Sequence, residues 1–327
     1  MLWPLARRRH LAPDQAQRLA DVRQKNPESE TWLALVEAAL AESQGATTWD
    51  AVVPALVDGR PARAPLLHGA ELSVHRRSAS RFVRHLAQLA GLDGAAHRLD
   101  AVDLLEAAIR QDDARIDALA TGDASLLRVV AQVAAVPLLR GCARAIGSEV
   151  SSAWWEGYCP LCGAWPTLAE FRGLERKRWL RCGRCGIGWE VPWLRCPFCA
   201  ETNHENLGYL APEDGETARK VEVCDTCKGY VKAEPTVSEL HDLARCAASC
   251  SLPSKPPKAG ASGASGIRRP MRSGSPSSAT CSTAPSPPIQ TRMSSRRGCS
   301  SNARPRDRRR AACARWHCRF SRSGAWR

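Results

Sequence analysis

The sequence predicts an α+β protein: a helical N-terminal domain over 1–157, a cysteine-rich domain of small β modules over 158–243 and a disordered basic tail over 244–327. Three observations carry this. Apolar residues recur at helical spacing through the first half, four Cys-x-x-Cys pairs crowd the middle, and the final stretch is almost without aliphatic side chains. A length of 327 residues accommodates two or three such domains.

The helical half is read segment by segment. Leu33, Leu35, Val36 and Leu40 form an apolar face after Glu30. Leu72 to Leu89 repeats the pattern through Val74, Phe82, Val83 and Leu86, and is taken as one helix. Asp100 to Leu119 does the same through Val102, Leu104, Leu105, Ile109 and Ile116. Asp123 is a candidate N-cap for a last long helix, which Pro137 should bend or restart towards Trp154. Pro54, Gly59, Pro61 and Pro65 mark 46–68 as a linking loop. Cys142 reads as a small apolar filler and His68 as a structural residue, so this half is a bundle with no chemistry of its own.

From 158 the composition shifts to Gly, Cys and Trp, with strand-like fragments at Trp189–Leu194 and Val221–Val223. About 75 residues with so few aliphatics make a thin core, which suits a β-rich module held by metal. From Ala244 there are 17 Ser in 84 residues, four Leu, Ile or Phe and no Val, too little apolar surface to offset ordering entropy. Its mixture of Arg, Ala, Ser, Pro, Gly, Cys and Trp is what a GC-rich gene gives in the wrong frame, so a frameshift near Leu243 and a real basic tail are both readings.

The overall charge of +14 first suggests a nucleic-acid partner. Its distribution argues otherwise, because 244–327 holds 18 basic residues and one acid, leaving 29 basic and 32 acidic residues in 1–243. The N-terminus places Arg7, Arg8 and Arg9 after a short apolar piece, the reverse of a secretory signal. The longest apolar stretch, 126–139, is broken by Arg128 and Gln132, whereas a membrane span needs roughly 20 apolar residues. These features predict a cytoplasmic protein without membrane insertion.

The chemistry is concentrated in Cys159/Cys162, Cys182/Cys185, Cys196/Cys199 and Cys224/Cys227. Each pair can present two thiolates from one tight turn, and two turns complete a tetrahedral site. Pro160 and Pro197 fix φ within the turn, and Gly163 and Gly186 can take positive φ just after it. Gaps of 19 residues between Cys162 and Cys182, and of 24 between Cys199 and Cys224, suit hairpins carrying two knuckles each. Sequential pairing is therefore expected, giving two metal ions in four-cysteine sites; interleaving is the alternative. Four thiolates accept iron or zinc. Redox disulfides are the competing reading, but no βαβ pattern surrounds any pair.

A closed four-thiolate site leaves no position for water or substrate, and the sequence lacks HExxH, GxSxG, Walker and Rossmann motifs. The chain is thus read as a non-enzyme, with catalytic residues none. One basic cluster, Arg172, Arg176, Lys177, Arg178, Arg181 and Arg184, is read as a solvated hairpin tip, with binding of acidic partner residues or of phosphates as the alternatives. Between Tyr158 and Lys232 there are 11 basic and 10 acidic side chains, so two four-thiolate sites with divalent ions make the module net negative. A phosphate-gripping ribbon should be clearly positive, and no specific nucleic acid is expected. Trp179, Trp189 and Trp193 are expected to pack over the metal turns.

Trp154-Trp155-Glu156-Gly157-Tyr158-Cys159-Pro160-Leu161-Cys162-Gly163 resembles the start of the cysteine-rich region of the FdhE family of formate dehydrogenase accessory proteins. The Cys182/Cys185 pair followed by Trp189, then Arg195-Cys196-Pro197-Phe198-Cys199, is similar to the same pattern. So is Leu207-Gly208-Tyr209 leading to Cys224-Asp225-Thr226-Cys227 and Gly229-Tyr230. Pro65 to Gly69 is a weaker match, and the resemblance covers roughly 33–243. It implies tandem rubredoxin-like or zinc-ribbon modules with the eight cysteines as ligands. It also implies an assembly factor for the catalytic subunit of respiratory formate dehydrogenase, acting before twin-arginine export. The family continues past Leu243 with an acidic, leucine-rich segment, which this chain replaces with its basic tail. A zinc-ribbon nucleic-acid binder and a rubredoxin-type electron carrier are the alternatives. The apolar helical faces can serve a homodimer or the partner.

Overall fold

The structure is a computed structural model that describes residues 11–44, 49, 52–92, 99–212 and 220–237, with the backbone of two short strands at 267–268 and 292–296. The chain divides after Arg296, and 297–327 holds none of the described residues. The disorder expected over 244–327 therefore concerns, apart from the two strands, residues outside the described ones.

Helices dominate up to residue 146. They are α1 (Pro13–Lys25), α2 (Glu30–Glu42), α3 (Arg76–Leu89), α4 (Ala101–Arg110), α5 (Asp113–Leu119) and α6 (Ala124–Ile146). The segment 72–89, expected as one helix, divides. Glu71–His75 is strand β1, where Leu72 and Val74 are fully buried on alternate residues, and the His75 side chain accepts from the Ser78 N–H to start α3. Asp100–Leu119 also divides. Gln111 closes α4 in the left-handed region at φ 57°, and the Asp112 carboxylate accepts from the Arg115 N–H to cap α5. A three-residue helical periodicity continues across that break, so pattern alone does not reveal it.

Asp123 caps α6, accepting from the Leu126 N–H at 3.0 Å. The helix then runs through Pro137 to Ile146 without the expected restart. An interior proline costs about 3 kcal/mol. Burial of Ala134, Ala135, Leu138 and Leu139 against the other helices offsets it. Because α6 is unbroken, the span Ala124–Glu149 is long and apolar enough to cross a membrane, contrary to the reading of 126–139 as too short. Its apolar window is 61% buried inside the protein, as in the central helix of a packed bundle.

Strands follow. They are β2 (Pro166–Arg172), β3 (Lys177–Cys182), β4 (Gly188–Glu190), β5 (Leu207–Pro212), β6 (Lys220–Cys224), β7 (Tyr230–Thr236), β8 (Ile267–Arg268) and β9 (Arg292–Arg296). Seven form one sheet in the order β4-β3-β2-β7-β6-β5-β8, and β1 pairs with β9 in parallel. The sheet contains two antiparallel meanders, β2-β3-β4 and β5-β6-β7, joined by parallel pairing of β2 with β7 from Leu168↔Lys232 to Arg172↔Thr236. One apolar core runs from the helices into the first meander and takes in Cys159, Cys162, Cys182 and Cys185. A second, smaller cluster lies between α1 and α2 around Leu19, Val22, Leu33 and Leu40.

Candidate metal centres

The eight cysteines gather into two groups. Cys159, Cys162, Cys182 and Cys185 form the first, and Cys196, Cys199, Cys224 and Cys227 the second, with the Sγ atoms of each group all within 4.8 Å of one another. The pairs thus meet sequentially. Each group takes one pair from the turn before a meander's hairpin and one from the turn within or beyond it.

The four turns share one backbone construction. The N–H of each first cysteine donates to the carbonyl five residues on: Cys159 to Ala164 at 2.9 Å, Cys182 to Ile187 at 3.0 Å, Cys196 to Glu201 at 2.8 Å and Cys224 to Gly229 at 3.0 Å. The residue after each second cysteine lies in the left-handed region: Gly163 at φ 66°, Gly186 at 84°, Ala200 at 61° and Lys228 at 59°. This reversal turns both Sγ atoms to one side and brings N–H groups towards sulfur, as from Cys185 to Cys182 Sγ at 3.5 Å and Gly229 to Cys227 Sγ at 3.4 Å. Glycine takes such φ values freely, while Ala200 and Lys228 do so at a cost of roughly 1–2 kcal/mol.

The donor set suits a tetrahedral ion. Bonds of about 2.3 Å to four thiolates place the sulfurs about 3.8 Å apart. Here Cys159–Cys185 and Cys162–Cys182 stand at 3.4 Å, Cys196–Cys227 at 3.6 Å and Cys199–Cys224 at 3.7 Å. Electrostatics point the same way. Burial pushes the Cys159 and Cys185 thiols far up, while hydrogen bonds from Cys159, Cys162 and Cys185 hold Cys182 low. In the second group burial drives Cys196 up and Cys227 up to about 11. Burial also opposes ionisation of Cys224, but N–H groups of Cys227 and Thr226 bring it down. A central cation is what makes four clustered thiolates tenable.

The groups differ in depth. All four cysteines of the first are buried, whereas Cys199 is exposed and Cys227 half-buried in the second. The first group is also gripped by the helical region. Leu66 and Leu67 donate their N–H groups to the carbonyls of Pro160 and Leu161 at 2.7 and 3.0 Å, and Arg184 Nη2 donates to the Ala108 carbonyl at the end of α4. Gly157 lets the two metal turns approach, since a Cβ there would fall 1.7 Å from the Pro197 carbonyl oxygen.

No family model matches the chain. The chain is 33% identical over 92 residues to Protein FdhE of Escherichia coli O127:H6, covering 26% of this chain and 29% of that protein. It is 37% identical over 81 residues to the FdhE homolog of Rhizobium meliloti, covering 23% and 26%. The chain is thus similar to FdhE proteins over about a quarter of its length. The matched stretches span less than a third of the length of either relative. The crystal structure of the FdhE protein from Pseudomonas aeruginosa aligns with a TM-score of 0.39 and 22% identity, over 68% of this chain and 81% of that one.

Around the two cysteine groups, the basic cluster read as a solvated tip divides in two. Arg176 and Lys177 are on the surface, but Arg178 and Arg181 are only 2% exposed. Arg178 bridges the two meanders by donating to Glu222 and to the carbonyls of Pro192 and Arg195, and Arg181 Nε donates to buried Glu170 at 2.7 Å. The clue in sequence is alternation along β3, which places 178 and 180 on one face of a strand buried on both sides. Trp189 is buried and donates to the Glu156 carbonyl, and Trp179 lies under the Arg172 guanidinium at 4.4 Å. Trp193 packs on Phe171 with ring centroids 4.7 Å apart and stays half exposed. Cys142 is fully buried, in keeping with a filler role.

Proposed function

We propose that this chain is a formate dehydrogenase accessory protein that docks on the enzyme's catalytic subunit and supports its maturation before export. The observation that carries the reading is the pair of four-cysteine groups with a common turn geometry in a chain with FdhE relatives. In this reading Cys159, Cys162, Cys182 and Cys185 hold one ion and Cys196, Cys199, Cys224 and Cys227 another. Bound iron or zinc supplies folding energy and a fixed shape. The helical domain (1–157) and the cysteine-rich domain (158–243) act as one docking body in the cytoplasm, with 244–327 as an appended basic stretch. Closed four-thiolate sites fit a scaffold better than a hydrolase.

The test is co-purification of the full chain with a formate dehydrogenase catalytic subunit, with metal analysis of the same material. Retention of the subunit and two ions per chain supports the proposal. A folded, metal-loaded chain that does not retain the subunit removes the docking claim.

The exposure of Cys199 favours a second reading, electron transfer through the outer group. That reading requires iron and a thiolate-to-iron absorption that bleaches reversibly on reduction. Colourless zinc-loaded protein from anaerobic cells rules it out.

A further inference from the structure

A row of four aromatic rings joins the two cysteine groups. Trp154 meets Tyr158 with ring centroids 5.5 Å apart, Tyr158 meets Trp165 at 6.0 Å, and Trp165 meets Phe198 at 5.6 Å. Each pair is edge-on or tilted, at the separation where aromatic rings attract. Tyr158 comes just before Cys159, and Phe198 lies between Cys196 and Cys199 in the chain. Tyr158 is held at both ends: its carbonyl accepts from Trp154 Nε1 at 2.9 Å, and its hydroxyl donates to the Arg63 carbonyl at 2.6 Å.

Phe198 is the joint in this row. A Cβ on Gly229 would fall 2.6 Å from its ring, so the same ring also seats on the Cys224–Gly229 turn. Among the described residues of the second group's two turns, only Phe198 packs against the main apolar core, which contains all four cysteines of the first group. The neighbouring Pro197 carbonyl lies so close to Gly157 that no side chain fits between them. The contact is lopsided. Tyr158 and Trp165 flank the Cys159–Cys162 turn, whereas the Cys182–Cys185 turn is tied to α4 through Arg184.

We propose that the two groups are energetically coupled: an ion in the second group, acting through Phe198, holds the Cys159–Cys162 turn in its ligating geometry. The inference rests on both groups taking an ion. A four-thiolate turn is ordered largely by its ion, so filling the second group fixes Phe198 and sets a rigid wall against Trp165. Emptying the second group frees the ring, and the first turn relaxes on that side. Linkage is reciprocal, so the first ion strengthens the second group by the same factor. The competing account is independent filling, with the rings as inert packing.

Hydrogen exchange read by mass spectrometry tests this on the full chain. Three samples are compared: the chain with two zinc ions, C224S/C227S with zinc in the first group only, and Phe198→Ala with two zinc ions, each with its zinc content measured. Segment 157–165 should exchange about tenfold faster in C224S/C227S than in the loaded chain, while 182–187 changes by less than about twofold. Phe198→Ala should speed 157–165 by a similar factor with both ions in place. If Phe198→Ala loses its second ion, Phe198→Leu, which keeps apolar bulk but no ring, takes its place with an expected change of about threefold or more. Unchanged protection of 157–165 in C224S/C227S overturns the coupling. Equal acceleration of 182–187 also overturns it, since that is general loosening. Full protection in the two-zinc Phe198 variant removes the ring as the link and the proposal with it. Two zinc ions without these changes leave the metal assignment standing, whereas a chain that binds none removes both.

Discussion

Glu170→Gln should be among the most damaging single substitutions away from the cysteines. Glu170 is fully buried, and its two oxygens hold Arg181 and Arg172. Glutamine keeps the shape but removes the charge and one acceptor. Arg172 is 16% exposed and can turn towards solvent, whereas Arg181 at 2% cannot. A buried cation that loses its anion costs about 3–5 kcal/mol. Some of that is relieved by the Arg181 hydrogen bond to Gly186, so we expect a loss of about 3 kcal/mol. The assay is urea unfolding of the metal-loaded chain followed by circular dichroism, compared through midpoints at constant slope. Glu170→Leu combined with Arg181→Met should recover at least half of the loss, because an apolar pair of similar volume removes the buried charge. A loss below about 1 kcal/mol for Glu170→Gln, or no recovery in the double variant, would refute the view that this pair is a desolvated ion pair.

Four further outcomes are expected. Ala200→Gly and Lys228→Gly should each stabilise by up to about 1 kcal/mol, whereas Gly163→Ala and Gly186→Ala should destabilise by about 1 kcal/mol or more, read as thermal midpoints of loaded protein. A chelator should strip the second cysteine group before the first, since Cys199 is exposed and the first four are buried; two equal release phases would contradict this. Cys→Ser at any one cysteine should unfold its own module, because thiolate–metal binding is largely its folding energy; a metal-free but natively folded variant would count against it. Burial pushes the Cys142 thiol up to about 12 from an ordinary 9.0. The folded state then holds its proton where the unfolded state does not, so this contribution is complete below pH 9.0 and is lost as pH rises towards 12. Stability should fall by about 1 kcal/mol per unit above pH 9, and Cys142→Ala should flatten that slope relative to its own value at neutral pH.

The eight cysteines and their sequential grouping were legible because Cys-x-x-Cys is a local device. Spacing alone places two sulfurs on one turn, and short gaps restrict which turns can meet. The αL residues at Gly163 and Gly186 were legible for the same reason, while Ala200 and Lys228 were hidden because neither side chain favours that conformation. Helical content was readable from its period, but the breaks at His75 and Gln111 were not. Each depends on a cap or a strand partner that periodicity does not encode. The unbroken course of α6 through Pro137 was decided by burial on several sides, which outweighs the local penalty.

The sequence by itself determined where thiolate chemistry sits, which half is helical and how charge is distributed along the chain. Only the tertiary structure decided what the arginines do. Arg178 and Arg181 read as surface charges, but the β2-β3 hairpin sets Arg181 on buried Glu170, and parallel pairing of β2 with β7 joins the meanders so that Arg178 meets Glu222. Arg140 and Arg144 gained a shared cavity with Arg172 and Arg181 only when α6 packed over β2 and β3. The physical reason is range. Turn geometry and helical period are set by neighbouring residues, but whether a charge is solvated or desolvated depends on segments tens of residues apart.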